Sequence, residues 1–165
     1  MAVYHEVFTV ESGYRVSFED VTERVAEAVR KSGIKNGLVN VFSQHTSCCV
    51  FLQEDSEDMT YNHIPLILQD MINVLEKTIP TCEYEGQYLH PGPIHTENAK
   101  KLRDEKSEWL LNTDGHLRSV FLGRSETIPL VDGEMTLGEF GRIYFSDMDQ
   151  TRGRVRNVRV QIVGE

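Results

Sequence analysis

The sequence predicts a single α+β domain: a mixed, mainly antiparallel sheet packed with two main helices. Three observations carry this expectation. Short runs with alternating apolar residues dominate the 165-residue chain, and most are joined by tight turns. Two longer segments instead repeat apolar residues at helical spacing. No repeat, linker or low-complexity segment divides the chain, and its length suits one domain over residues 1–165 with a core that needs no staples.

The elements follow in order. Val3 to Val10 alternates as a strand, Ser12-Gly13 reads as a turn, and Tyr14 to Phe18 as a second strand, which predicts an opening hairpin. Asp20 suits a helix N-cap with Glu23 as its capping-box partner. Val21, Val25, Ala28 and Val29 then form an apolar stripe that Gly33 closes. Leu38 to Phe42 and Cys48 to Leu52 are strands flanking a polar break. After the acidic stretch from Glu54 to Asp58, Pro65 fits the first turn of a second helix. Its stripe is Ile64, Leu68, Met71, Leu75 and Ile79, and Pro80 ends it. Thr81 to Asn112 is irregular, with modest helical character from Asn98 to Leu111. A short helix is expected from His116 to Leu122, with Asp114-Gly115 at its start. Ile128 to Val131 and Glu134 to Leu137 form a hairpin around Asp132-Gly133. Arg142 to Met148 and Val155 to Val163 are the last two strands.

Composition narrows the function. The net charge of −9 opposes non-specific nucleic-acid binding, which needs basic surface. The one basic cluster, Arg152, Arg154, Arg156 and Arg159, alternates with valines and reads as the solvated face of a strand. No apolar run is long enough to span a membrane. The first residues lack the basic and apolar regions of a signal peptide, so a cytoplasmic location is expected. Cys48, Cys49 and Cys82 are odd in number and lack ligand spacing, which fits buried thiols better than a disulfide or zinc framework.

The chemistry concentrates in the histidines. Four of the six, His45, His90, His95 and His116, lie in polar breaks rather than inside apolar runs. Side chains at element ends are free to converge on a site, where imidazole serves as acid, base, anion partner or metal ligand. Gln44-His45-Thr46-Ser47 offers hydroxyl donors beside an imidazole, a combination suited to phosphate or carboxylate. Glu54 and Asp55 end the next strand and suit a divalent cation near the substrate. Asp114 beside His116 fits an acid/base pair or metal ligation. Arg124 and Ser125 form a further candidate anion contact.

Taken together, these segments resemble a known family. Val41 to Val50 is similar to the V-x-x-x-H-T-[ST]-A-x-[LIV] strand of the YjbQ-like family, also called secondary thiamine-phosphate synthase. Gly115 to Arg118 followed by Phe121 to Pro129 looks like its H-L-K … L-G-x-S-x-T-I-P block. Asp132-Gly133, Leu137-Gly138 and Ile143 to Asp149 resemble its C-terminal G-x-L-x-L-G-x-W-Q-x-I-x-x-x-E-x-D block. Order and spacing agree over nearly the whole chain.

The resemblance implies an α+β fold, a homotrimer and polar sites near the subunit contacts. It also implies a weak or secondary activity that joins hydroxymethylpyrimidine diphosphate to thiazole phosphate and releases pyrophosphate. Carried over position by position, it points to His45, Thr46, Asp114, His116 and Ser125, with His90 as the histidine ahead of the acidic motif. The chain departs from the pattern in four places. Phe140-Gly141 replaces Trp-Gln, Asp147 replaces a Glu, residues 91–111 look like an insertion, and a small expansion lies around Asp58 to His63.

Three functions are open to this residue set. The first is a synthase-type transferase in which His45, His116 and Asp114 do the proton chemistry. Thr46, Ser47, Arg124, Ser125 and Glu54 would hold the substrate, and Mg²⁺ would help the diphosphate leave. The second is a hydrolase with Zn²⁺ or Mn²⁺ on His45, His90, His116 and Asp114. The third is a trimeric binder of a phosphorylated metabolite without turnover.

Overall fold

A computed structural model describes residues 1–165. Eight strands divide between two sheets. One has five strands in the order β1 (Ala2–Ser12), β8 (Arg154–Gly164), β3 (Gly37–Ser43), β5 (Ser125–Val131) and β6 (Glu134–Met135). The other has three, in the order β2 (Ser17–Asp20), β7 (Gly141–Asp147) and β4 (Cys48–Glu54). Every pairing is antiparallel, so the α+β fold with mainly antiparallel strands expected from the sequence is what forms, its strands divided between two sheets rather than held in one. The helices are α1 (Thr22–Ser32), α2 (Leu66–Thr78), α3 (Pro93–Arg103) and α4 (Thr113–Leu122), with a 3₁₀ turn over Ser107–Leu110.

The small sheet is the middle layer, and its sequence shows why. Successive strand residues point to opposite faces. Cys48 and Val50 on β4, with Ile143 and Phe145 on β7, join the main core. That core also takes Phe8, Val41, Ile128, Val158, Val160 and the α1 stripe Val25, Ala28 and Val29. Cys49 and Phe51, with Tyr144, point the other way and pack with Leu68 and Leu75 of α2. A strand buried on both faces reads as a continuous apolar run, which is what Cys48 to Leu52 is. Burial pushes the Cys48 thiol up to about 12, so it stays protonated.

Several local expectations change. β1 and β2 do not form a hairpin: β1 runs its full length along β8, while β2 pairs with β7 in the other sheet. The chain between them crosses from one sheet to the other. Five further connections also cross between the sheets, among them Gln44–Ser47 from β3 to β4 and Met148–Gly153 from β7 to β8. The capping box of α1 does not close. Asp20 Oδ1 accepts the Thr22 N–H at 2.9 Å, and Glu23 pairs with Arg30 instead. Gly33 does end α1, in the left-handed conformation that favours glycine. The Asp132-Gly133 turn has positive φ at both residues, as its hairpin requires.

The segment 91–111 holds more helix than expected, with α3 beginning at Pro93 rather than near Asn98. Helix α4 begins at Thr113, three residues before His116. Its first turn presses on the β7–β8 connection: a Cβ on Gly115 would lie 3.0 Å from the Met148 carbonyl oxygen. Arg118, fully buried, anchors α4 to the end of α2. Its Nη2 donates to Glu76 at 2.9 Å and to the Ile79 carbonyl at 2.7 Å. No helix is long and apolar enough to cross a membrane.

Candidate functional site

Three of the sheet crossings, β1 to β2, β3 to β4 and β7 to β8, meet at one carboxylate. Asp147, at the end of β7 and fully buried, accepts four hydrogen bonds. Oδ2 takes Arg156 Nε at 2.6 Å and the Ser12 hydroxyl at 2.7 Å. Oδ1 takes Arg156 Nη2 and the Asp149 N–H, both at 3.1 Å. Ser12 ends β1, Arg156 belongs to β8, and Asp149 lies in the β7–β8 connection. Arg156 Nη2 also donates to the Ser47 hydroxyl at 3.0 Å, which brings in the β3–β4 connection.

This corrects the expectation for the basic cluster. Arg156 is buried and bidentate, not solvated. Arg154 pairs with buried Asp149. Asp149 also accepts the Thr151 hydroxyl at 2.6 Å and Asn112 Nδ2 at 3.0 Å. Burial pushes its carboxyl up, but the hydrogen bonds from Thr151, Arg154 and Asn112 outweigh that, and it stays below the usual range. Arg159 is the outward member and holds Gln44 at 2.6 Å.

Above this base lies a cleft of about 380 Å³. Gln44, His45, Thr46 and Ser47 form one side, and His116 with Asn112 another. Arg103, Glu105 and Trp109 close a third side, with Arg152, Arg154 and Arg156 beneath. A hollow of about 1070 Å³ between Gly13–Phe18 and Thr60–Pro65 is larger, but it has no carboxylate and only one histidine, His63. The smaller cleft holds the convergent charges and is the candidate site.

Two histidines in it have opposite roles. His45 Nε2 accepts the Asn157 N–H at 3.0 Å, so in the neutral ring the proton sits on Nδ1. Burial lowers the His45 pKa, and the Arg156 charge lowers it further. His116 Nδ1 lies 3.1 Å from the Thr46 carbonyl oxygen, which can only accept, so Nδ1 carries the proton. Its Nε2 is then the free lone pair, the arrangement of a proton acceptor or ligand. The His90 ring lies 4.7 Å from that of His95 and 6.1 Å from that of His116, centroid to centroid. Burial and the two neighbouring imidazoles lower the His90 pKa.

Of the residues singled out in the sequence, His45, Thr46, Ser47 and His116 come together in the cleft, with His90 adjacent to His116. Asp114 does not join them. It is buried against Arg118, with Oδ2 3.9 Å from Nη1. Burial raises its pKa despite Arg118. Glu54 sits at the far end of β4 from Ser47, about 20 Å away at ~3.3 Å per residue. Asp55 pairs there with Arg142 at 2.7 Å. The Arg124 carbonyl accepts the Ser43 N–H, and Ser125 accepts Asn40 Nδ2 at 2.8 Å, so both belong to the β3–β5 ladder outside the cleft. The four proposed metal ligands do not converge, and no group of three or more His, Cys, Asp or Glu side chains is arranged to hold a metal ion.

Sequence reasoning missed Arg154, Arg156, Asp149, Trp109, Arg103 and Glu105. A signal existed for the arginines. Arg154 and Arg156 are in phase with Val158, Val160 and Ile162, the core face of β8. Exposed Val155 belongs with the outer face. For Trp109 and Glu105 there was none, because they reach the cleft only through the folding of 104–111.

Comparison with known proteins agrees with this architecture. The family model described as UPF0047 protein YjbQ-like matches residues 6–165. A UPF0047 protein of Methanothermobacter thermautotrophicus is 32% identical over 165 residues, covering all of this chain and 95% of its own. One from Synechocystis is 27% identical over 98% of this chain and 92% of its own. Among solved structures, a hypothetical protein from Aeropyrum pernix K1 has a TM-score of 0.72 at 27% identity, covering 98% of each chain. A YbjQ-like protein of unknown function from Sulfolobus solfataricus shares the fold, with a TM-score of 0.74 at 22% identity over 99% of each chain.

The state of His45 is directly measurable. Its lowered pKa means the folded chain binds fewer protons there than the unfolded one. The stability it contributes is therefore present above the ordinary value of 6.5 and is lost as pH falls through the folded value. Imidazole NMR should find His45 neutral at pH 7, protonated on Nδ1 and titrating below 6.5. A charged His45 at pH 7 would contradict the geometry.

Proposed function

This chain belongs to the UPF0047 YjbQ-like family, and from that premise we propose that the cleft binds a small phosphorylated metabolite and acts on it as a thiamine-phosphate synthase-type transferase. One observation carries the reading: four arginines, Arg103, Arg152, Arg154 and Arg156, line a single cleft beside Thr46, Ser47 and the imidazoles of His45, His95 and His116 in a protein of net charge −9. Guanidinium groups match phosphoryl oxygens in geometry as well as charge. Their concentration at one place in an acidic chain favours a local anionic ligand over non-specific attraction.

In the proposed reaction the thiazole nitrogen attacks the pyrimidine methylene carbon. A C–N bond forms, the C–O bond to the diphosphate breaks, and pyrophosphate leaves. Arg152 and Arg154 oppose the charge that grows on the leaving group. His116, once protonated at the free Nε2, is better placed than His45 to donate a proton to it, since His45 Nε2 is engaged by Asn157. Mg²⁺ would ride on the diphosphate oxygens and share their charge, because Asp147 and Asp149 are already saturated by protein donors.

A second reading, a Zn²⁺ or Mn²⁺ hydrolase, draws on the gathering of His90, His95 and His116. The side chains as arranged do not fit a metal, so no step is derived through one. Near-stoichiometric zinc or manganese in purified protein, lost in both His90→Ala and His116→Ala, would favour that reading over the synthase.

The proposal includes assembly as a homotrimer. Leu117, Val120 and Phe121 support it: at i, i+3 and i+4 they make an exposed apolar stripe on α4, next to His116. Sedimentation equilibrium should return three chains for the wild type and a smaller species for the double variant Val120→Glu/Phe121→Glu. A monomeric wild type would contradict it.

For the reaction, protein incubated with both phosphorylated substrates and Mg²⁺ should form thiamine phosphate. His116→Ala should lower the rate on the order of 10²-fold. Pyrophosphate binding without product would leave a non-catalytic binder, and neither binding nor product would overturn the reading.

A further inference from the structure

The arginines of the cleft are not equally engaged. Arg156 uses both teeth of its Nε/Nη2 edge on Asp147, at 2.6 and 3.1 Å. Arg152 presents the same edge to Glu105 but fills only one tooth, with Nη2 donating to Oε1 at 3.0 Å. Its Nε is buried and meets no protein acceptor. Glu105 Oε2 is taken by Arg103 Nε, also at 3.0 Å. The Arg152 guanidinium stacks on the Trp109 ring, 4.1 Å from its centroid, which fixes the plane of the fork. A carboxylate here sits between two guanidinium groups at the wall of the cleft, with one shielded donor left over.

We propose that Arg103 and Arg152 form a phosphoryl subsite, that Glu105 occupies it as a built-in carboxylate in the free protein, and that the ligand's phosphoryl group displaces Glu105. This rests on the reading of the cleft as an anion site and deepens it. A carboxylate has two oxygens and a terminal phosphoryl group three. The third oxygen supplies the acceptor that Arg152 Nε lacks, while the other two replace Glu105 on Arg152 Nη2 and Arg103 Nε. Glu105 precedes the 3₁₀ turn on a surface segment, so its side chain can leave without disturbing the core. Its negative charge also selects against weak anions: only a ligand that outbids a tethered carboxylate enters.

The test is calorimetric titration with inorganic pyrophosphate of wild type, Glu105→Gln and Arg152→Gln at low ionic strength, with thermal melts to verify folding. Glu105→Gln should bind pyrophosphate about fivefold to tenfold more tightly than wild type, the scale of a partly exposed ion-pair network. Arg152→Gln should bind more weakly than wild type. Binding by Glu105→Gln alone, with none by wild type, also supports the proposal. Equal or weaker binding by Glu105→Gln overturns it while leaving the anion cleft intact. No binding by wild type or Glu105→Gln overturns both the subsite and the cleft reading.

Discussion

The buried fork between Arg156 and Asp147 is the constraint on which the rest of this structure depends. Two sheets must pack face to face, and the chain must pass between them six times. Each passage leaves polar backbone and side chains near the core. Asp147 collects donors from three of these passages: Ser12 where β1 ends, Arg156 and Asp149 where β8 begins, and, through Arg156, Ser47 where β3 gives way to β4. All four of its acceptor directions are used, so the carboxylate is held rather than merely neutralised. The cleft is then a by-product of closure. Fixing Ser47 fixes His45 and Thr46, and fixing the Met148–Gly153 connection sets Asp149, Arg152 and Arg154 beneath them.

Such a pair is a costly way to gain stability. Desolvating two charges consumes most of what their attraction returns, and a well-packed apolar pair would serve the fold as well. Its value here is geometric. Side chains of similar volume without charge would not orient Ser47 or hold the start of β8 so that Asn157 presents its N–H to His45. The second buried arginine, Arg118, does comparable work one layer away. It fixes α4 to the end of α2 and thereby the position of His116.

Much of this was legible in the residues, and the failures have physical causes. The strands, α1, α2 and the Asp132-Gly133 turn follow from periodicity and turn chemistry. The β1–β2 hairpin was misread because a local turn signal cannot reveal that the true partner of β1 lies about 150 residues away, at β8. Helix α4 was started late because Thr113, Asp114 and Gly115 carry no apolar period; their burial against the Met148 segment is tertiary. His45, Thr46 and Ser47 stand out because polar residues between two strands have few structural reasons to be there, and His116 because it follows Asp114-Gly115 at a helix start. Asp114, Glu54, Arg124 and Ser125 were chemically reasonable, but sequence proximity did not translate into proximity in space. Arg156 was readable by parity with Val158 and Val160, and was lost because arginine near a terminus suggests solvent.

The most direct measurement compares urea denaturation and pyrophosphate binding of Asp147→Asn with those of the double variant Asp147→Leu/Arg156→Met. If the fork organises the site, Asp147→Asn loses about 3 kcal/mol or more, because Arg156 is left buried and uncompensated. The double variant then recovers much of that stability and still fails to bind pyrophosphate. A single variant within about 1 kcal/mol of wild type, or a double variant that binds as wild type does, would contradict the account.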